Sequence, residues 1–138
     1  MKKFEFIDIT TADVAFLAYG KDLNELFENA ALAMFEVMIN TKHVKPIIKR
    51  EVKCEGNDIN SLMFRWLNEL LVFVDSENLA FSSFNVKIED KTLRAICKGE
   101  KIDEKKHELR TEVKAATMHL MRIVKVNTNW EARIILDI

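Results

Sequence analysis

Gly20-Lys21-Asp22-Leu23-Asn24-Glu25-Leu26-Phe27-Glu28-Asn29-Ala30-Ala31 turns a strand into a helix within a few residues. Upstream, Val14 to Tyr19 is an apolar stretch of strand character, and Gly20 closes it. Asp22 then offers a carboxylate to the free amides of a helix start, with Glu25 three residues later as in a capping box. From there Leu23, Leu26, Phe27, Ala30, Met34, Val37 and Met38 recur at intervals of three and four, which predicts a helix to about Ile39 with one apolar stripe facing a sheet.

Working outward, Phe4 to Ile9 alternates with Phe4 and Phe6 on one face, a first strand. Pro46 leads into a strand ending near Glu55, where Ile48, Val52 and Cys54 share a face against Lys49, Glu51 and Lys53. Gly56-Asn57-Asp58 reads as a turn and cap. A second helix follows from about Ile59 to Val74, with Leu62, Met63, Trp66, Leu67, Leu70, Leu71 and Val74 at helical spacing, and it should lie beside the first. Ser76-Glu77-Asn78 turns the chain into strands around Ser83 to Glu89 and Leu93 to Lys98, joined at Asp90-Lys91 as a hairpin. Val113 to Val126 is strand-like with a break, Asn127-Thr128-Asn129 is a hairpin turn, and Trp130 to Asp137 alternates cleanly. The expected fold is α+β in two layers: a largely antiparallel sheet of six or seven strands with two helices packed on one face.

The 138 residues carry three glycines and one proline, with no repeat or linker-like segment, so residues 1–138 read as one domain. A chain of this size buries roughly 70% of its unfolded surface, and the 49% hydrophobic content is ample for that. No apolar run approaches the roughly 20 residues of a membrane span, and the first residues lack the apolar core of a signal peptide, so the expectation is a cytoplasmic protein. Twenty-one Lys and Arg against twenty-two Asp and Glu leave a net charge of −1, which draws no nucleic acid by overall field. If RNA is involved, another protein is expected to hold it. Cys54 and Cys97 lie far apart in strand-like alternations and read as reduced core thiols. With His43, His107 and His119 each alone, no zinc-ligand pattern exists.

The stretch from Lys101 to Lys114 is the most polar, ten charged or histidine positions out of fourteen. By charge alone it is a solvated connection. Lys114 stands where this run meets Val113-Lys114-Ala115-Ala116-Thr117 and could be displayed at a strand end. Asp13 follows Thr10-Thr11-Ala12 between the first two strands, where a carboxylate can simply satisfy turn amides. At the other end Asp137 precedes the terminal carboxylate of Ile138. Should the last strand end beside Asp13, three carboxylates converge, and a hard cation with oxygen ligands (Ca²⁺, Mg²⁺ or Mn²⁺) would relieve their repulsion better than zinc. Catalytic signatures are missing: no phosphate-cradling glycine loop, no Gly-x-Ser-x-Gly, no His-Glu-x-x-His. Thr10, Thr11 and His119 could be imagined as nucleophile and base, but a core or hydrogen-bonded His119 is the simpler reading. A non-enzyme is expected.

Thr11-Ala12-Asp13-Val14, Ala18-Tyr19-Gly20, Leu26-Phe27-Glu28-Asn29-Ala30-Ala31, Lys106-His107-Glu108, Val113-Lys114-Ala115-Ala116-Thr117 and Asp137-Ile138 stand in the order found in archeases. The chain resembles that family over nearly its whole length. The resemblance implies a two-layer α+β protein with an SHS2-type module that serves as cofactor of the RtcB-family tRNA-splicing ligase. It implies that the protein promotes guanylylation of the ligase, broadens its nucleotide use and allows repeated turnover, with RNA reached only through the ligase. It further implies that Asp13, Asp137 and Ile138 hold one divalent cation, Ca²⁺ foremost with Mg²⁺ or Mn²⁺ as alternatives, and that Lys114 contacts the ligase or a phosphate. Thr10 takes the place of the family's usual histidine, and Met118 that of an aromatic residue before His119, so no role is carried over to either. The other class considered is a general chaperone or adaptor for RNA-processing enzymes, separable by stoichiometry, since a holdase needs about one copy per client.

Overall fold

The protein is described by a computed structural model covering residues 2–8 and 13–138. Ile9, which closes the first expected strand, and Thr10, Thr11 and Ala12 lie outside the described residues. Seven strands and two helices follow in the order β1 (Phe4–Ile7), β2 (Val14–Gly20), α1 (Leu23–Met38), β3 (Ile48–Glu55), α2 (Ile59–Glu77), β4 (Leu79–Glu89), β5 (Thr92–Lys101), β6 (Ala115–Val126) and β7 (Asn129–Asp137), with one 3-10 turn at Thr41–His43. The α+β class with antiparallel strands holds. The strands divide into two sheets, β1-β2-β7-β6 and β3-β5-β4, a division that strand alternation could not reveal.

Both helices start on the aspartates expected. Asp22 accepts from the Glu25 amide at 2.8 Å, and Asp58 accepts from the Ser61 amide at 2.8 Å while Ser61 returns the bond in a complete capping box. The helices touch each other, and Trp66 of α2 donates its indole N–H to the Phe27 carbonyl of α1 at 3.0 Å. Each helix also contacts both sheets, α1 chiefly β2 and β4, α2 chiefly β6 and β3. That is why α1 is buried beyond its single expected stripe: Ala31, Ala33 and Phe35 are fully buried as well, and no α1 residue is exposed. Phe16, Phe27, Phe35, Trp66 and Phe81 form one continuous core with the aliphatic residues of both sheets.

α1 closes the open edge of the second sheet with side chains. The Glu28 carboxylate accepts from the Val86 amide at 2.9 Å and the Asn24 carbonyl from the Ile88 amide at 2.9 Å, so two amides of β4 that no strand pairs are satisfied. Burial raises the Glu28 pKa, with the Val86 bond acting against it. β4 begins at Leu79, earlier than the expected Ser83, because α2 runs on to Glu77 and ends on Asn78 in the left-handed conformation (φ 55°). Its register against β5 shifts between Phe81 and Ser83, opposite Gly99. A Cβ on Gly99 would lie 1.8 Å from the Ala80 carbonyl oxygen, so this bulge admits only glycine there.

Candidate functional site

β7 lies between β2 and β6, antiparallel to both. The last residues of the chain therefore run out between the start of β2 and the start of β6. The final ladder pair of β2 and β7 is Val14 with Leu136, and one step beyond on each strand stand Asp13 and Asp137. On the other side Asp137 pairs with Ala115, and its carbonyl accepts from the Lys114 amide at 2.8 Å. Asp13, Asp137, Ile138 and Lys114 thus meet at one end of the first sheet.

Phe16, Ala18, Ile134 and Leu136 belong to the core, so by alternation Ala15, Ile135 and Asp137 face the other way. Ala15 and Ile135 are cross-strand partners and both are buried, which gives the aspartates an apolar neighbour row. Asp13 is half-buried and Asp137 exposed. Like charges at opposed ladder positions destabilise a sheet, and a cation with oxygen ligands removes that penalty. Ile138 is half-buried and packs against the core, which ties the chain end in place. Among the described residues no three His, Cys, Asp or Glu side chains stand close enough together to hold a metal. Asp13 and Asp137 offer hard carboxylate oxygens, the donor type that suits Ca²⁺, Mg²⁺ or Mn²⁺.

α2 fixes the start of β6. Asn68 donates to the Ala116 carbonyl at 3.0 Å and accepts from the Ala116 amide at 3.0 Å, an amide standing in for a missing strand two residues from Lys114. Lys114 itself is exposed, while Val113 beside it is buried.

The polar run before β6 is more than a solvated connection. Its Arg110 and Thr111 amides donate to the Met38 and Val37 carbonyls at 2.8 and 3.0 Å, closing the C-terminal end of α1. Arg110 also bonds Glu36 and Glu108, and Glu36 accepts from Thr41. His107 is buried, its Nδ1 accepting from the Asp103 amide at 2.9 Å. Nε2 therefore carries the hydrogen and donates it to Glu100 at 3.0 Å. Glu100, also buried, accepts from Lys106 at 2.5 Å and from the Lys45 amide at 2.7 Å. Burial pushes its pKa up, but these bonds outweigh it and hold the carboxylate at about 2.

Sequence reasoning left His107 solitary and missed Glu100 and Asn68. Nothing in the local pattern marks them, because each finds its partner through the tertiary fold. His119 is exposed, on the irregular stretch of β6 between Thr117 and Arg122, rather than in the core. Cys97 is buried and Cys54 half-buried, both free, and burial raises their pKa values to about 12 and about 11, away from thiolate chemistry.

The model of the archease protein family matches residues 4–138. The chain belongs to the archease family. It is 49% identical over 140 residues to the archease of Sulfurisphaera tokodaii and 49% identical over 142 residues to that of Methanothermobacter thermautotrophicus, each match spanning 100% of both chains. Among solved structures, the solution structure of Methanobacterium thermoautotrophicum protein 1598 superposes with a TM-score of 0.88 at 49% identity over 100% of both chains. The crystal structure of a Thermotoga maritima archease, described as a possible chaperone, has a TM-score of 0.68 and covers 94% of this chain and 93% of its own. At 23% identity it shows the shared fold alone. Among the described residues of this archease no helix is long and apolar enough to cross a membrane.

Proposed function

We propose that this archease is a non-catalytic accessory protein that activates the RtcB-family tRNA-splicing ligase in the cytoplasm, through a divalent cation held by Asp13, Asp137 and the Ile138 carboxylate. The observation that carries the reading is the register of β7, which sets Asp13 and Asp137 one step past a shared ladder pair with the chain terminus beside them. A bound cation, Ca²⁺ foremost, would supply positive charge where nucleotidyl transfer builds negative charge on phosphates. The chain's own residues supply the rest. Ile138 anchors the terminus against the core, Asn68 and the Asp137 carbonyl fix the start of β6, and Lys114 is left exposed at the same end as a contact for the ligase or a phosphate. A general chaperone or adaptor for RNA-processing enzymes is the second reading, favoured by the description of the Thermotoga maritima relative.

Lys114→Ala separates a contact from a structural role. Among the described residues only its backbone amide is engaged, so its truncation should leave thermal stability within about 0.5 kcal/mol. Stimulation of the ligase should fall several-fold at equal protein. A folded Lys114→Ala protein that stimulates fully would remove this residue from the interface.

A further inference from the structure

The outer face of the β3-β5-β4 sheet carries a row of three cations, one from each strand. Arg94 of β5 is the cross-strand partner of both Lys53 on β3 and Lys87 on β4. All three are exposed, while Val52, Ala95 and Val86 of the neighbouring row are buried toward the helices. Neighbouring strands lie about 4.8 Å apart, so the three charges span roughly 10 Å. Among the described residues none of them forms an ion pair within 4.0 Å. Like charges in directly opposed positions cost stability, so the row is a liability unless an anion covers it.

The surroundings point to an extended anion. Four residues along the same face, Lys49 opposes Lys98, a second cationic pair about 13 Å away at the rise of a strand. Between the two rows lie Glu51, Ile96 and Asn85 in register. A hollow of about 360 Å³ opens there, lined by Glu51, Lys53, Asn85, Lys87, Arg94 and Ile96. One phosphate cannot bridge rows 13 Å apart, but a phosphodiester chain can, and the planar guanidinium of Arg94 suits a phosphate's paired oxygens. Ile96 and Asn85 then meet sugar or base. Glu51, together with Glu55 and Glu89 flanking the row, can accept from ribose hydroxyls and base amines.

We propose that this face binds single-stranded RNA, with Lys53, Arg94 and Lys87 on consecutive phosphates. The site is local and coexists with a net charge of −1, which conceals it from composition. It does not rest on the cation site, which belongs to the other sheet.

Fluorescence anisotropy with a labelled single-stranded RNA of about 20 nucleotides tests it on the full chain without ligase. Three phosphate contacts give a slope of log K against log salt of about −2. Lys53→Gln, Arg94→Gln and Lys87→Gln together should weaken binding at least tenfold and flatten the slope, with the melting temperature unchanged or raised because repulsion is relieved. Lys101→Gln with Lys105→Gln, on the polar run elsewhere, should leave affinity unchanged. Arg94→Gln alone should give a smaller loss in the same direction. Absence of RNA binding at low salt, equal binding by the triple variant, or tighter binding of a poly-glutamate peptide than of RNA would each overturn the proposal.

Discussion

Glu100→Ala should lower stability by about 3 kcal/mol, because it leaves the His107 Nε2–H and the Lys45 amide without an acceptor in a buried place. For a domain of this size that is a drop of roughly 10 °C in melting temperature. The damage should be local first. Without Glu100, His107 keeps only its bonds to the Asp103 backbone, and the run that closes the end of α1 through Arg110 and Thr111 loosens ahead of both sheets. Hydrogen exchange at the Asp103, Arg110 and Thr111 amides should therefore accelerate more than at the Trp66 indole. Glu100→Gln keeps an oxygen for the Lys45 amide and should cost less. The pH dependence has a definite sign. The native carboxylate titrates at about 2 against an ordinary 4.5, so its contribution is complete above pH 5 and is lost as pH falls toward 2. Denaturant melts from pH 6 down to pH 2 should show a steeper loss in the wild type than in Glu100→Gln. Parallel curves would place the acid sensitivity in other carboxylates.

The second large effect concerns the chain terminus. In the proposed cation site, a few residues appended after Ile138 would convert its carboxylate into a neutral amide and remove one anionic ligand, and Asp13→Asn and Asp137→Asn would each remove another. Affinity for a hard cation follows ligand charge, so Ca²⁺ and Mn²⁺ affinity measured by calorimetry should fall at least tenfold in each variant. An amino-terminal tag should change nothing. All three variants should fold, and Asp137→Asn could gain slightly in the absence of metal, since the like charges at positions 13 and 137 are then relieved. The competing expectation is that both aspartates merely finish strands and that an extension is tolerated as at most chain ends. Unchanged cation affinity in the extended protein would decide for that view.

Much of this was legible in the residues, and the reasons for success and failure are physical. Asp22 and Asp58 announced their helices because a cap acts within three residues, and β7 announced itself because Trp130, Ala132, Ile134 and Leu136 alternate with Glu131, Arg133 and Asp137. The division into two sheets was hidden, since alternation gives a strand's faces but not its neighbours. The burial of α1 beyond one stripe was hidden for the same reason: Ala31 and Ala33 look like solvent-side spacers until a second sheet covers them. The strand was expected around Ser83 rather than from Leu79 because the bulge opposite Gly99 breaks the period. At the candidate site, the sequence supplied Asp13, Asp137, Ile138 and Lys114 as separate possibilities, and only the order β2-β7-β6 brings them to one end. Glu100 and Asn68 carried no sequence signal, as their partners are backbone groups and a histidine set by tertiary contact. The cationic row escaped notice because Lys53, Lys87 and Arg94 come from three different strands.

The proposed function makes this archease a reusable activator of a ligase. Multiple-turnover ligation of RNA ends by an RtcB-family ligase with GTP, measured with the archease at one part in ten of the ligase, tests it most directly. Ligation should continue beyond one product per ligase at this ratio, and the protein extended beyond Ile138 should fail to support it while the amino-terminally tagged protein succeeds. Stimulation that appears only near one archease per ligase, or that the extended protein supports fully, would contradict it.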